Sequence, residues 1–448
     1  MPKPAMRSYV AAQHDFRAGK DSPSAFLERC LATLTEIEPQ VLAFVHHDAA
    51  KAHEAAARST ARWKEGKPLS PIDGMPVGVK DIIETRDFPT ENGSAFFKGW
   101  QSRRDAASVT ALREAGAVIM GKTVTTEFAT APPGPTRNPW DTRRTPGGSS
   151  SGSAAATGSG MIAAGLGTQV LGSILRPASF CGCVGFKPSL GAINRSGSHD
   201  GLSQSVHGAL AASIEDAWVM LREIADRAGG DPDYPGLFGP AAPPAAQKPL
   251  RLAVLEGPGW SKAAPAALAA LDAALSKLNA AGVKLVGRKE SDALEATEVA
   301  LNRALPVSQT INAFESRWAV KSYRASDASK LTQFARDRLV EAERITLDQY
   351  RARRAERAAI RTIYASLAGE VDAVITISAT GPAPIGLEST GDSIFVVAGS
   401  CLGVPAISLP LLTVEDLPLG LQLLGFLDRD AEMIGTARWV RDTLTAKG

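Results

Sequence analysis

The stretch from Pro71 to Pro188 constrains this chain most. It is dense in glycine, serine, threonine and proline, with short apolar runs between them. Val77–Val79 and Val118–Met120 are too short for helices and are bounded by glycines, so they read as buried strands, with Val109–Ala115 a helix between them. Helix, glycine, then strand is α/β texture. At the centre stands Thr145-Pro-Gly-Gly-Ser149-Ser-Ser-Gly-Ser153-Ala-Ala-Ala, which by composition alone would be a flexible linker. An Ala-rich helix and apolar segments follow it at once, ending in Phe180-Cys-Gly-Cys-Val-Gly-Phe186-Lys-Pro188, and a linker would not continue that way. Tight glycines interleaved with serines suit close backbone packing and preorganised N–H donors.

Around this stretch the periodicity is mostly helical. Ser24 is a candidate cap for a segment with Leu27, Leu31 and Leu34 on one face, and an Ala-rich segment runs from Asp48 to Trp63. Ser213 opens a helix with Trp218, Leu221 and Ile224 on one face. Residues 229–249 form a Pro/Gly/Ala-rich loop without periodicity. Next comes a βαβ-like unit: strand Leu252–Leu255, a helical stripe of Leu268, Leu271, Leu275 and Leu278, then Gly282 and strand Val283–Val286. Residues 296–368 read as charged helices, 371–377, 406–409 and 419–424 as strands, and 431–444 as a last helix. The expected architecture is α/β: one mixed central sheet flanked by helices on both sides, with a helical insertion. At about 150 residues per domain the length allows two or three domains. With no internal repeat, one domain over 1–448 is expected: N-terminal helices (1–68), a core (69–228), the loop (229–249), a βα unit with the insertion (250–370), and C-terminal core strands with a helix (371–448).

Lys+Arg number 49 and Asp+Glu 47, a net charge of +2, which argues against nucleic acid or an anionic membrane as the main partner. Of the four cysteines, Cys30 and Cys401 are isolated, and Cys181 and Cys183 form a lone C-x-C, so neither a disulfide framework nor zinc is expected. The N-terminal residues carry no apolar signal core, and no run of about 18 apolar residues exists. A cytoplasmic protein is the resulting expectation.

Three motifs mislead. Gly116-Ala-Val-Ile-Met-Gly121-Lys122-Thr123 matches the phosphate-loop pattern, but its middle residues look like a strand followed by a Gly-Lys turn. Gly158-x-Gly160-x-x-Ala163 lacks the preceding strand of a dinucleotide fingerprint and reads as a tight turn or close helix packing. Gly148-Ser-Ser-Ser-Gly152 matches a nucleophile elbow, which needs serine, acid and histidine in that order. Of the six histidines only His199 and His207 follow, no acid lies between Ser151 and His199, and Asp200 precedes His207 by only a few residues. A serine hydrolase here would need a base other than histidine.

Gly74-Met-Pro76-Val-Gly-Val-Lys80-Asp81 supplies a lysine at the end of a short apolar strand. By itself that lysine could lie on the surface, pair with Asp81, or be partly buried. Gly167-Thr168-Gln169-Val170-Leu171-Gly172-Ser173-Ile174-Leu175-Arg176-Pro177 follows the Ser/Gly tract. Together these segments resemble the amidase signature family. The resemblance is close over about residues 70–220 and recurs in Ser389-Thr-Gly-Asp392, in Leu402–Pro410 and in Pro418–Gly425. It implies a Ser–cis-Ser–Lys triad, with Ser173 as nucleophile, Ser149 as bridging serine after a cis peptide bond, and Lys80 as base. It also implies an oxyanion hole from the backbone N–H groups of Val170, Leu171, Gly172 and Ser173.

The chemistry of such a triad is demanding. A serine hydroxyl is a poor nucleophile until a base takes its proton. A lysine is a base only when neutral, and from its usual pKa of ~10.4 that requires a fall of roughly three units, about 4 kcal/mol, supplied by burial. Ser149 would then relay the proton from Ser173 to Lys80 and later return one to the leaving amine.

Three positions depart from the commonest family form: Gln169 for Asp, Leu171 for Gly and Leu175 for Arg. The first and last are expected to change together if they form a pair. Gln169 with Arg176 resembles a subgroup with G-T-Q-x-x-G-S-x-x-R-P. Leu171 is expected to narrow the acyl pocket or alter the turn. Arg176 either pairs with backbone or a nearby acid, or binds an acidic group of the substrate, and Thr168 and Gln169 are further substrate-binding candidates. Ser150, Ser151, Ser153 and Glu127 are expected to support the site by hydrogen bonding, and Cys181 and Cys183 to be small core residues.

The expected activity is hydrolysis of a small carboxamide to an acid and ammonia or an amine through an acyl-enzyme, with no cofactor and no metal. The expected partner is a small-molecule amide, with a homodimer by analogy to relatives. Alternatives are an allophanate- or biuret-type hydrolase, the glutaminase subunit of a tRNA amidotransferase, a non-catalytic scaffold on the same fold and, remotely, a nucleotide binder. Acyl specificity is expected from residues near 125–136, 300–325 and 380–400.

Overall fold

A computed structural model describes residues 3–130 and 132–446. Met1, Pro2, Lys447 and Gly448, at the ends of the expected domain, and Ala131, inside the expected pocket segment 125–136, lie outside the described residues.

Eleven strands form one sheet among the described residues. They are β1 (Phe44–His47), β2 (Pro76–Lys80), β3 (Val118–Thr123), β4 (Ala164–Gln169), β5 (Val184–Lys187), β6 (Val206–Ala211), β7 (Arg251–Val254), β8 (Lys284–Val286), β9 (Ala373–Ile377), β10 (Ala406–Val414) and β11 (Leu417–Leu424). Their order is β1-β3-β2-β4-β6-β5-β10-β11-β9-β7-β8. β2 runs parallel to β3 and β4, and β7 parallel to β8 and β9, while the middle of the sheet is antiparallel. The chain is therefore α/β with a mixed sheet.

Side-chain alternation assigns both faces to apolar cores. In β3, Ile119 enters one core while Val118 and Met120 enter the other, and in β6 Ala209 and Ala211 are separated from Leu210 in the same way. β9 repeats the pattern, with Ala373, Ile375 and Ile377 on one side and Val374 on the other. Helices cover both faces for that reason.

The Ser/Gly tract forms the helix Ser151–Ser159, every residue of which is buried. Its small residues are a packing requirement. A Cβ on Gly152 would lie 2.1 Å from Ala43 O and 2.3 Å from Val124 N, and one on Gly158 would lie 2.2 Å from Cys181 O. Gly158-x-Gly160 is thus close helix packing with Gly160 as the left-handed cap of this helix.

Two expectations are corrected. The first long helix is capped by Ser22 and spans Pro23–Val41, with the Ser22 side chain accepting from Ala25 N. Pro23 opens it because a first-turn N–H has no partner in the helix anyway, and Ser24 bonds to Thr60 instead. In the phosphate-loop look-alike, Gly121-Lys122 does not turn but continues β3. Lys122 stays in the strand because its buried amine finds Ile83 O at 2.7 Å, Thr90 Oγ1 at 2.6 Å and Asp81 Oδ1 at 3.4 Å.

The parallel strands β2 and β4 are adjacent, with Val79 paired to Leu166, so β4 runs two residues past the end of β2. Lys80 is the last residue of β2 and Gln169 the last of β4. The carboxyl ends of parallel strands are where open α/β sheets place their sites. Residues 292–365 carry four helices, and two of them, Ala304–Asp327 and Gln333–Glu343, reach across this end of the sheet.

Candidate active site

Lys80 is wholly buried. Its Nζ donates to Ser149 Oγ at 2.7 Å and to Thr168 Oγ1 at 2.8 Å. Burial pushes its pKa down to about 7, with the Asp200 carboxylate pulling the other way. The Gly148–Ser149 peptide bond is cis. The serines after Ser149 tie the tract to its surroundings. Ser150 Oγ donates to Thr168 O at 3.2 Å, Ser151 Oγ to Val124 O at 3.3 Å, and the Ser153 and Thr123 hydroxyls meet at 2.6 Å. Ser150 N donates to Ser173 O at 3.3 Å, which joins the tract to the loop carrying Ser173.

That loop, 170–173, is held by its carbonyls. Val170 O accepts from Gln204 Nε2 at 2.8 Å, Leu171 O from Ser400 Oγ at 3.0 Å and Gly172 O from Arg176 N at 3.0 Å. Together with Ser173 O, all four carbonyls are occupied. None of the four N–H groups has an acceptor among the described residues. A loop fixed by its carbonyls while its N–H groups stay unengaged is a preorganised donor set.

Gln169 organises the same loop from beneath. Its Oε1 accepts from Ile174 N at 2.9 Å and Leu175 N at 3.0 Å, and its Nε2 donates to Ser400 Oγ at 2.9 Å. Thr168 and Gln169 are buried and lie off the cavity wall, the first against Lys80 and the second against the loop backbone. Arg176 is buried, donates to Gly148 O at 2.7 Å and Thr390 Oγ1 at 2.9 Å, and also lines the cavity. Burial lowers its pKa to about 10, and Asp392 opposes this.

A cavity of about 350 Å³ adjoins the loop and is lined by Val170, Leu171 and Ser173. Lys80 and Ser149 are not on its wall, and the tract meets Ser173 through Ser150 N. Leu171 forms part of the wall without filling the cavity. Phe128, most of the helix residues from Gln309 to Tyr323, and Ser393 also line it, each inside a segment expected to shape the acyl pocket. The helix Gln333–Glu343, residues 199–202 and Asn92 line it as well and were not foreseen. No local signal marks them, because Arg338 looks like any other charge in a charged helical block. Glu127 fastens this helix to the core, accepting from Ser94 Oγ at 3.0 Å and from Thr332 N and Oγ1.

No histidine bonds to Lys80, Ser149 or Ser173 among the described residues, although His199 stands on the cavity wall. His199 Nε2 meets Glu84 Oε1 at 2.6 Å, and neither ring nitrogen of His207 has a hydrogen-bond partner among the described residues. Cys181 and Cys183 are buried, and burial pushes the Cys183 thiol up to about 12, so they pack as small apolar residues. No described helix is long and apolar enough to cross a membrane.

A family model described as amidase matches residues 25–434. The chain belongs to the amidase family.

Within that family it is 32% identical to a glutamyl-tRNA(Gln) amidotransferase subunit of Symbiobacterium thermophilum over 476 residues, covering 96% of this chain and 95% of that protein. It is 39% identical to the corresponding protein of Chloroflexus aggregans over 231 residues, 50% of this chain and 47% of that one. In such matches the chain spans about half the length of its relatives. Its fold is similar to that of a crystallised amidase, with TM-score 0.84 and 26% identity over 97% of this chain and 99% of the other.

Proposed function

We propose that this member of the amidase family hydrolyses the C–N bond of a small carboxamide through an acyl-enzyme on Ser173. The observation that carries the reading is the wholly buried Lys80 amine, 2.7 Å from the Ser149 hydroxyl with its pKa at about 7. Half or more of such an amine is neutral above that pH and can accept a proton.

In the proposed cycle neutral Lys80 takes the Ser149 proton as Ser149 takes that of Ser173. The Ser173 oxygen then attacks the amide carbon. The developing oxyanion lies against the N–H groups of residues 170–173, whose preorganisation is the main electrostatic contribution. On collapse, Ser149 gives its proton to the departing nitrogen and regains one from Lys80. Water repeats the sequence on the acyl ester and releases the acid. Lys80, Ser149 and Ser173 each end the cycle in their starting protonation state, and no metal or organic cofactor is called for. Action in the cytoplasm, on a small molecule rather than on nucleic acid or membrane, belongs to the same reading.

Peptide mass spectrometry after fluorophosphonate treatment tests it. One adduct is expected on the Ser173 peptide, absent in Ser173→Ala and weakened in Lys80→Ala. A folded protein that takes no adduct and releases no ammonia from any amide would point to a non-catalytic scaffold.

A second reading, membership of an amidotransferase complex acting on glutamyl-tRNA(Gln), is favoured by the near full-length similarity to the Symbiobacterium protein. It requires a second subunit that co-purifies with this chain and is needed for turnover of glutamine.

A further inference from the structure

The cavity at Ser173 contains more recognition chemistry than amide cleavage needs. Asn92 and Asn312 both line it, and both are buried, with 1% and 6% of their surface exposed. Neither carboxamide has a hydrogen-bond partner for its oxygen or its nitrogen among the described residues. A buried carboxamide left without partners is costly, and facing a cavity it offers both donors and an acceptor to whatever enters.

The cavity is also long. Asn312 and Tyr323 line it from the same helix, Ala304–Asp327, and eleven steps of ~1.5 Å place them about 16 Å apart along its axis. The Asn312 end is tied to the oxyanion loop, because Ser308, one turn away, bonds to Gln204, which in turn holds Val170 O. The Tyr323 end is formed where the helix Gln333–Glu343 docks. Glu343 pairs there with Arg324 at 2.8 Å, and Thr332 is held by Glu127. Phe128 and Tyr323 pack against each other at this end, with ring centroids 5.4 Å apart. Leu339 and Ala335 add apolar wall.

Three arginines line the cavity, of which Arg317 is engaged by Phe314 O and the Phe314 ring and Arg176 by Gly148 O and Thr390, which leaves Arg338 on the docked helix. It lines the cavity, is half-buried, and has no carboxylate or carbonyl hydrogen-bond partner among the described residues. Glu341 acts on it electrostatically without forming an ion pair, and the Phe334 ring lies 5.7 Å away. The acids on the cavity wall are already engaged. Glu315 accepts from Ser203 N and Oγ and from Tyr350 OH, and Asp200 accepts from Ser205 Oγ. The cavity therefore presents a cation without a bonded counter-charge beyond an apolar, aromatic passage.

Resting on the acyl-enzyme reading above, we propose that the substrate is the amide of an extended acyl chain ending in a carboxylate, with the chain beside Phe128 and Tyr323 and the carboxylate on Arg338. The acyl side is assigned because the acyl group stays on Ser173 through both half-reactions whereas the amine must leave. The Asn92 and Asn312 carboxamides meet polar groups nearer the scissile bond.

The test uses monoamides of butanedioic to dodecanedioic acid beside neutral n-alkanamides of matched length. In the wild type, kcat/KM is expected to rise with chain length and to favour the carboxylate members. In Arg338→Gln the ratio of carboxylate to neutral kcat/KM is expected to fall roughly 10- to 100-fold, the usual worth of a charge-assisted hydrogen bond, with partial recovery in Arg338→Lys. An unchanged ratio, or a preference for the shortest amides, overturns the proposal. If Ser173 still takes the fluorophosphonate in that case, the amidase reading survives alone. Binding is read separately by the melting temperature of Ser173→Ala with dodecanedioate. A rise that is lost in Ser173→Ala/Arg338→Gln supports the proposal even if no amide turns over, and no rise overturns it.

Discussion

The Lys80 amine and the Ser149 hydroxyl lie 2.7 Å apart although 69 positions separate them in the chain. β2 delivers the lysine and the start of the buried Ser151–Ser159 helix delivers the serine, so the contact is a product of the sheet packing on that helix. Burial in this packing also sets the protonation state of the amine.

The pH dependence follows from that state. Below its pKa Lys80 is protonated and cannot accept a proton. The value of kcat/KM on a neutral amide is therefore expected to rise with pH through a midpoint near 7 and then level off. Lys80→Ala should lower it by roughly 10²- to 10⁴-fold. A flat profile across the neutral range would remove Lys80 from the role of base.

Gln169 should matter for stability as well as rate. Gln169→Leu leaves the N–H groups of Ile174 and Leu175 without an acceptor and takes the Nε2 donor from Ser400. At about 1–3 kcal/mol for each of the two N–H groups left unpaired, urea denaturation should show a loss of about 2–6 kcal/mol. Gln169→Glu keeps the acceptor and should lose less. Equal losses in the two variants would contradict the assignment.

The Ser151–Ser159 helix should not tolerate even one added methyl group. In Gly152→Ala the new Cβ meets two backbone atoms, Ala43 O and Val124 N, which no side-chain rotation can relieve. Overpacking of this kind costs about 1–3 kcal/mol or more. Thermal unfolding should show a clear drop in Tm, and a wild-type Tm would mean that β1 and β3 can move aside.

Lys122 is the lysine of the phosphate-loop look-alike, and the fold uses it as half of a buried pair. Asp81→Ala strands its charge and should cost about 3–5 kcal/mol, part of which returns in Asp81→Ala/Lys122→Met. ATP with magnesium should leave the wild-type Tm unchanged, since the pattern residues 118–123 lie in a strand paired on both sides.

Most of the architecture was legible. Strands at Val77–Val79, Val118–Met120 and Leu419–Leu424, and the parallel pairing of β7 with β8, are where the apolar runs and turn residues place them. β4 was not legible as a strand, because Ala-Gly-Leu-Gly-Thr-Gln has no β-branched run and its apolar face is only Ala164 and Leu166, interleaved with glycines. Its small residues are required by the neighbouring helix, where a Cβ on Gly165 would lie 2.9 Å from Ser153 Cβ. β5 and β6 escaped for the related reason that short central strands borrow their definition from their neighbours, and β1 because it is a four-residue edge strand paired on one side only.

The sequence by itself determined the order of the motifs, membership of the family, and the chemical alphabet of the site: serines, a lysine and no histidine that could follow them in a working order. These are local or ordinal properties, and a linear chain displays them directly. Only the tertiary structure decided that Lys80 is fully desolvated, that four carbonyls of the 170–173 loop are pinned while their N–H groups are unengaged, and that Asn92, Asn312 and Arg338 share one cavity. Desolvation and distance arise from contacts between segments far apart in the chain, and no periodicity or spacing within one segment encodes them.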